Sequence, residues 1–210
     1  EFAAEIIDWY QPNPEDHEIG YYKTADGNTY VVTSNDGLKK IAEEINAGVA
    51  TDRNIVLSED LDLNATRAES NWTPIGTSTH PFVGTFDGKG FKVSNLVIDG
   101  GSSSNIGFFG VTQNGEIKNL VIENAKVSGR LNVGVVAGTP YTSKYSNITV
   151  TGHVEVDGMA YVGAVGGKNA YASWDNIVVD VDETSYVNAN SVENGTAYRT
   201  YVGGVIGFCG

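Results

Sequence analysis

The chain has 210 residues, a length for one domain with at most a small appendage, and its 40% hydrophobic content is too high for a disordered chain. Twenty-six glycines without a Gly-X-Y period exclude collagen and indicate regularly spaced turns. A net charge of −13 excludes non-specific nucleic-acid binding and adhesion to anionic membrane, and the short apolar runs exclude a transmembrane helix.

Residues 1–18 read as an N-terminal lead, whose Glu1-Phe2 is the dipeptide an EcoRI cloning site encodes. Residues 19–33 read as a β-hairpin, with Gly20-Tyr-Tyr-Lys-Thr24 and Thr29-Tyr-Val-Val32 flanking the turn Ala25-Asp-Gly-Asn28. Residues 34–48 read as a helix. Ser34-Asn-Asp36 supplies a cap, Leu38, Ile41, Ala42 and Ile45 share one face, and Gly48 suits the stop. Asn54-Ile-Val-Leu57 and Leu61-Asp-Leu63 then open a series of strands that runs from 49 to 210. Trp72 and Phe86 are expected where the helix meets this series.

Two motifs repeat in lockstep. The first is Asn95-Leu-Val-Ile98, Asn119-Leu-Val-Ile122, Asn147-Ile-Thr-Val150 and Asn176-Ile-Val-Val179, with the asparagines 24, 28 and 29 residues apart. The second is Ile106-Gly-Phe-Phe-Gly110, Val133-Gly-Val-Val-Ala-Gly138, Val162-Gly-Ala-Val-Gly-Gly167 and Val202-Gly-Gly-Val-Ile-Gly207. In the tetrapeptide, positions two and four are always aliphatic, which is the pattern of a strand with one buried face. Leu96, Ile98, Leu120, Ile122, Ile148, Val150, Ile177 and Val179 are therefore expected to point inward. In the glycine unit the obligate apolar positions lie three apart, so the glycine between them must supply a bulge or corner.

One such rung cannot stand alone. Burying each inward side chain contributes on the order of 1.5–3 kcal/mol, while ordering the backbone costs about 1–2 kcal/mol per residue. Stacking like on like closes the gap, with ladder hydrogen bonds above and below. The fold class is therefore all-β: a right-handed parallel β-helix with an N-terminal hairpin and a capping α-helix. The leading asparagines should form amide ladders along the stack, and Leu96, Leu120, Ile148 and Ile177 should share one column. An antiparallel sandwich would show turns every 8–12 residues and no such period. The series ends inside a glycine unit without a cap, so the chain is expected to be cut from a longer solenoid whose bare end can self-associate.

Trp72-Thr-Pro-Ile-Gly76, Gly84-Thr-Phe-Asp-Gly-Lys-Gly-Phe91, Ser94-Asn-Leu-Val-Ile98 and the Val-Gly-x-Val-x-Gly units resemble the GLUG-repeat proteins, a bacterial surface family. The likeness covers roughly 30–210. It implies a right-handed β-helix within large exported proteins described as adhesins, and similar repeats flank immunoglobulin-A-specific metallopeptidases. The longer spacing before Gly203 departs from the plain pattern and leaves an insertion around Asp182–Arg199.

The chemistry of known sites finds little support. A zincin needs His-Glu-x-x-His, but His17-Glu18 is followed by Tyr21 at the required position, and His80 and His153 are far apart in sequence. Asp87 and Asp99 beside glycines read as turn formers, and the Asp175, Asp180, Asp182, Glu183 series as a solvated loop. Glu59, Asp60 and Asp62 lack the spacing of a calcium loop. Cys209 reads as a small buried hydrophobe. No catalytic residue, metal ligand or cofactor is assigned.

Contact residues are sought instead in the aromatics of successive turns, Tyr141, Tyr145, Tyr171 and Trp174, and in the insertion, Asp182, Glu183 and Arg199. The expected function is a non-catalytic, extracellular adhesion or surface-binding module, whose partner is a host or bacterial surface protein or glycan. The alternatives are a polysaccharide-acting β-helix enzyme or the accessory region of a large secreted peptidase.

Overall fold

A computed structural model describes residues 20–25, 27–63, 70–190, 192–193, 196–197 and 199–209. Strands β1 (Tyr21–Lys23) and β2 (Thr29–Val32) form the antiparallel hairpin, with Tyr21 opposite Val32. Helix α1 (Asn35–Asn46) follows. Ser34 caps it, its Oγ accepting the Gly37 N–H at 3.1 Å and so satisfying a donor that has no partner within the helix. Leu38, Ile41, Ala42 and Ile45 form its buried face. At Gly48 the backbone leaves through φ +84°, where a side chain is disfavoured. Asn46 ties the helix end to the next coil, its Nδ2 donating to Pro74 O and its Oδ1 accepting from Gly76 N.

Strand β2 has a second role that the hairpin reading missed. It pairs in parallel with β3 (Asn54–Leu57), which makes it the first strand of the stack. The helix takes the place of the rest of that coil and covers the N-terminal end.

Next in the chain are β4 (Leu61–Asp62), β5 (Thr85–Asp87), β6 (Lys92–Asp99), β7 (Phe109–Gln113) and β8 (Glu116–Ser128). Then follow β9 (Leu131–Gly134), β10 (Ala137–Tyr141), β11 (Lys144–Gly158), β12 (Ala160–Gly163) and β13 (Gly166–Asn169). The last are β14 (Ser173–Val181), β15 (Tyr186–Ala189), β16 (Val192–Glu193), β17 (Thr196–Ala197), β18 (Val202–Gly203) and β19 (Ile206–Cys209). They wind into a parallel β-solenoid of about five turns. One sheet runs β2-β3-β5-β8-β11-β14, a second β7-β10-β13-β19, and a third β9-β12-β18.

Register places like residues in columns. Tyr30, Ile55, Phe86, Ile117, Tyr145 and Trp174 lie one above another. Val133, Val162 and Val202 form a second column, and Leu120, Ile148 and Ile177 a third. The inward residues of the middle coils are fully buried, as are Leu120, Ile148 and Val162 at 0% exposure, whereas Val202 in the last coil is 50% exposed. Aromatic rings pack together in the core: Trp72 stacks on Phe108 at 4.8 Å, and Phe86 meets both Phe108 and Phe109 edge-on. Trp72 also borders a cleft with Lys39, Ala42 and Glu43 of α1, whereas Phe86 sits deeper in the stack.

The expected column of four is corrected in one member. Leu96 pairs with Ala125, whose partner on the other side is Val154, so it lies outside the column of Leu120. Strand β8 explains this, because it passes two corners, Asn119 at φ 52° and Asn124 at φ 58°. The tetrapeptide at 119–122 follows the first corner, while that at 95–98 follows the second. Asn95 therefore sits beside Asn124, 29 residues away, and the 24-residue spacing to Asn119 joins different sides of the coil.

Corners of this kind recur along the stack. Asn119, Asn147 and Asn176 share one, Asn95, Asn124 and Gly152 a second, Asn105, Asn132 and Tyr161 a third, and Asn114, Thr142 and Tyr171 a fourth, all at positive φ. Asparagine is the side chain that adopts this region most cheaply, where other L-residues lose roughly 1–2 kcal/mol. At the first corner the amides form the expected ladder. Asn119 Nδ2 donates to Asp87 Oδ1 at 2.9 Å, Asn147 Nδ2 to Asn119 Oδ1 at 2.9 Å, and Asn176 Nδ2 to Asn147 Oδ1 at 2.8 Å. Asp87 is buried, and burial alone would raise its pKa. The hydrogen bonds from Asn119 and Lys89, with the Lys89 charge, outweigh burial and hold it below the ordinary value.

Close approach explains the second motif. A Cβ on Gly138 would stand 2.3 Å from the Asn105 carbonyl carbon, and one on Gly167 2.4 Å from that of Asn132. In these two units the last glycine thus lets one coil nest on the asparagine corner of the preceding one, and Gly207 does the same at the Tyr161 corner.

These corners yield the first prediction. Asn147→Ala loses two ladder bonds and the left-handed preference together, an expected cost of about 1–3 kcal/mol. Asn147→Gly keeps the backbone freedom and loses only the ladder, an expected cost of about 0.5–1.5 kcal/mol. Urea unfolding of both variants checks this, and equal losses would contradict the corner account.

Candidate functional site

The structure divides the four expected contact aromatics into two pairs. Tyr145 is 1% exposed, so its expected place on the surface is corrected. It alternates inward in β11, its hydroxyl lies 2.8 Å from Thr112 Oγ1, and its ring stacks on Trp174 at 4.1 Å. Burial pushes its phenol well above the ordinary range, against a small lowering by the Thr112 bond. Trp174 is half-buried in the same column. Both rings are therefore core residues. Tyr141 and Tyr171 do lie on the surface, 42% and 75% exposed, with ring centroids 6.2 Å apart in an edge-on contact.

A second aromatic group was missed. Tyr161 and Tyr201 stack at 5.4 Å with planes 6° apart, and Phe208 packs edge-on against both. Lys168 Nζ lies 5.8 Å from the Tyr161 ring centroid. The signal was present in the glycine units: the residue before the first aliphatic is Asn105 and Asn132 in two coils, then Tyr161 and Tyr201 in the next two.

The insertion is smaller than expected. Strand β15 stacks in register on Glu155–Gly158 of β11, so it completes the coil, and the addition proper is the two-stranded hairpin β16–β17. Asp182 belongs to a turn held onto the preceding coil. Its Oδ1 accepts from the Thr184 hydroxyl at 2.8 Å and from the Thr184 N–H at 2.9 Å, and both its oxygens lie 3.1 Å from His153 Nδ1. On the other side of the ring, His153 Nε2 lies 2.9 Å from Glu155, which pairs with Lys126 at 3.0 Å. Coil stacking brings His153 and Asp182, 29 residues apart, into contact. Beside them Tyr186 donates to Asp157, and burial together with that carboxylate pushes its phenol up to about 12. Glu183 and Arg199, the other expected contacts, are exposed.

Most remaining acids are structural. Asp60 accepts from Lys92 N and Asp62 from Asn95 Nδ2, each holding the next coil. Asp87 and Asp99 accept N–H bonds two residues on, from Lys89 and Gly101, as turn formers do. Asp175 and Asp180 are exposed. Cys209 is exposed, which corrects its expected burial, because the coil that holds it has a neighbour on one side only. His17 and Glu18 lie outside the described residues. Among the described residues no three His, Cys, Asp or Glu side chains group as metal ligands, and no helix is long and apolar enough to cross a membrane. A cleft of about 440 Å³ lies between 73–78 and 99–106, with a rim of Asp99, Ser103, Ser104 and Asn105. Trp72 in its wall is 4% exposed and covered by Phe108, so the cleft offers no free aromatic face.

The Asp182 turn carries a pH prediction. The Thr184 hydroxyl above all, then His153, the Thr184 N–H and Ser185, hold this carboxyl well below the ordinary range, against a smaller opposing effect of desolvation. A depressed carboxylate stabilises the fold above its unfolded pKa of about 3.9 and loses that effect as pH falls through the folded value. Asp182→Asn is therefore expected to lower the melting temperature at pH 7, with the difference from wild type shrinking below about pH 4. A constant difference across thermal melts from pH 2 to 7 would contradict it.

No protein-family model matches the chain. Halomucin of Haloquadratum walsbyi (strain DSM 16790 / HBSQ001) is 35% identical over 129 residues, a match that covers 57% of this chain and 1% of halomucin. The chain thus spans a small fraction of that relative. The fold is similar to the 1.30 Å crystal structure of a "putative immunoglobulin A1 protease" from Bacteroides ovatus, with a TM-score of 0.60 and 16% identity, covering 90% of this chain and 63% of that one. At that identity the likeness is one of fold.

Proposed function

We propose that this chain is a non-catalytic binding segment of a surface or secreted protein, a rigid rod that presents contact residues on its outer faces. The observation that carries the reading is the pair Tyr141 and Tyr171, large apolar rings held exposed on a regular scaffold. A solenoid offers long repetitive faces on which contacts can add along the axis. The sequence likeness to halomucin and the motif resemblance to GLUG-repeat surface proteins support an extracellular setting. The partner is a host or bacterial surface glycan or protein. On the same reading the chain takes no cofactor.

A second reading has the fold likeness in its favour: a non-catalytic accessory region within a large secreted peptidase. The two readings differ in what the isolated chain does. As a binding module it is expected to show saturable binding on an array of host-matrix proteins, mucins and glycans, without hydrolysing any of them. Hydrolysis of an arrayed peptide or polysaccharide would contradict both readings, and the absence of any binding would contradict the first.

A further inference from the structure

Resting on the binding-module reading, we infer that the outer face of the coil at 161–171 is a platform for a neutral oligosaccharide. Tyr161 and Tyr171 stand at φ 59° and 62°, a region that bulky residues rarely adopt. At the same corners earlier coils carry Asn105 and Asn132, and Asn114 and Thr142. One coil thus carries tyrosine at two such corners, after asparagine at the first and after Asn114 and then Thr142, itself a costly residue there, at the second.

Packing does not repay this at Tyr171. Its ring is 75% exposed, and its recorded ring contact is the edge of Tyr141. Strained residues that the fold does not need concentrate at ligand sites. Tyr161 gains more, since it stacks on Tyr201 and meets Phe208, and that cluster forms the other border of the same face. Between the borders runs β13. Lys168 lies by Tyr161, and three residues further on, about 10 Å along a strand, the chain reaches Tyr171.

The chemistry selects the ligand. Flat rings with hydroxyl tips suit the C–H faces and hydroxyls of pyranose rings. A protein partner would require a contiguous apolar centre, but here the rings stand at two borders with the Lys168 strand between them. The net charge of −13 disfavours polyanions, although Lys168 lies beside the Tyr161 ring. A neutral sugar avoids that repulsion.

The test titrates the purified chain with mannotetraose, cellotetraose and galactotetraose, with tetragalacturonate as the anionic arm and mucin and fibronectin as the protein arm. The expected result is binding of at least one neutral tetraose, weakened about tenfold or more by Tyr171→Asn. Because asparagine suits that corner, the same variant is expected to melt at an equal or higher temperature. Unchanged sugar affinity in Tyr171→Asn overturns the inference. If that variant melts lower, Tyr141→Ser decides, and unchanged affinity there overturns it too. Binding of only tetragalacturonate or only a protein also overturns it, while leaving the module reading standing. Failure of every probe, sugar and protein alike, counts against that reading itself.

Discussion

The whole stack depends on corners in which the backbone passes through positive φ. A coil can close only if the chain turns sharply at fixed places, and an L-residue resists the required conformation. Asparagine resolves this twice over. It tolerates the left-handed region, and its amide reaches the neighbouring coil, as in the run from Asp87 through Asn119 and Asn147 to Asn176. Glycine serves where another backbone comes too close for any side chain, as at Gly138 against Asn105. Once the corners are set, the register of every straight segment between them follows.

From that register come the columns, and from the columns the core. Ile148 and Val162 each have an aliphatic residue above and below, and Leu120 has Ile148 on one side and the turn at Gly88 on the other, so all three reach zero exposure. The last coil has neighbours on one side, so Ile177 and Val179 are only half-buried and the Trp174 indole N–H, though buried, has no hydrogen-bond partner among the described residues. The side faces are free of these constraints. There the chain departs from asparagine, with tyrosine at corners 161 and 171, and adds the His153–Asp182 contact and a small hairpin.

Much of this was legible in the sequence. Period-two aliphatics beside a repeating asparagine indicated parallel stacking, and Ser34 with Leu38, Ile41, Ala42 and Ile45 marked the helix. What misled was the identity of the repeating unit. Asparagine marks more than one corner per coil, so Asn95 looked equivalent to Asn119 although it occupies the position of Asn124. The 24-residue interval carried the correction, since true coil neighbours lie 28 or 29 apart at these corners. The site was less legible. Tyr141 and Tyr145 are four residues apart and both follow a glycine unit, yet one ends β10 at the surface and the other begins the inward alternation of β11. Local composition does not separate them, whereas the column of Ile117 and Trp174 does. His153 and Asp182 could be joined only after the coil length was known.

The corner ladder can be measured directly by hydrogen exchange of asparagine side-chain amides, followed by NMR on the whole chain. If the corners hold the stack, the Nδ2 protons of Asn119 and Asn147 exchange at least about tenfold more slowly than those of a free asparagine amide, since each is held by an acceptor on the preceding coil. Exchange at the free rate for both residues in the folded chain would contradict the account.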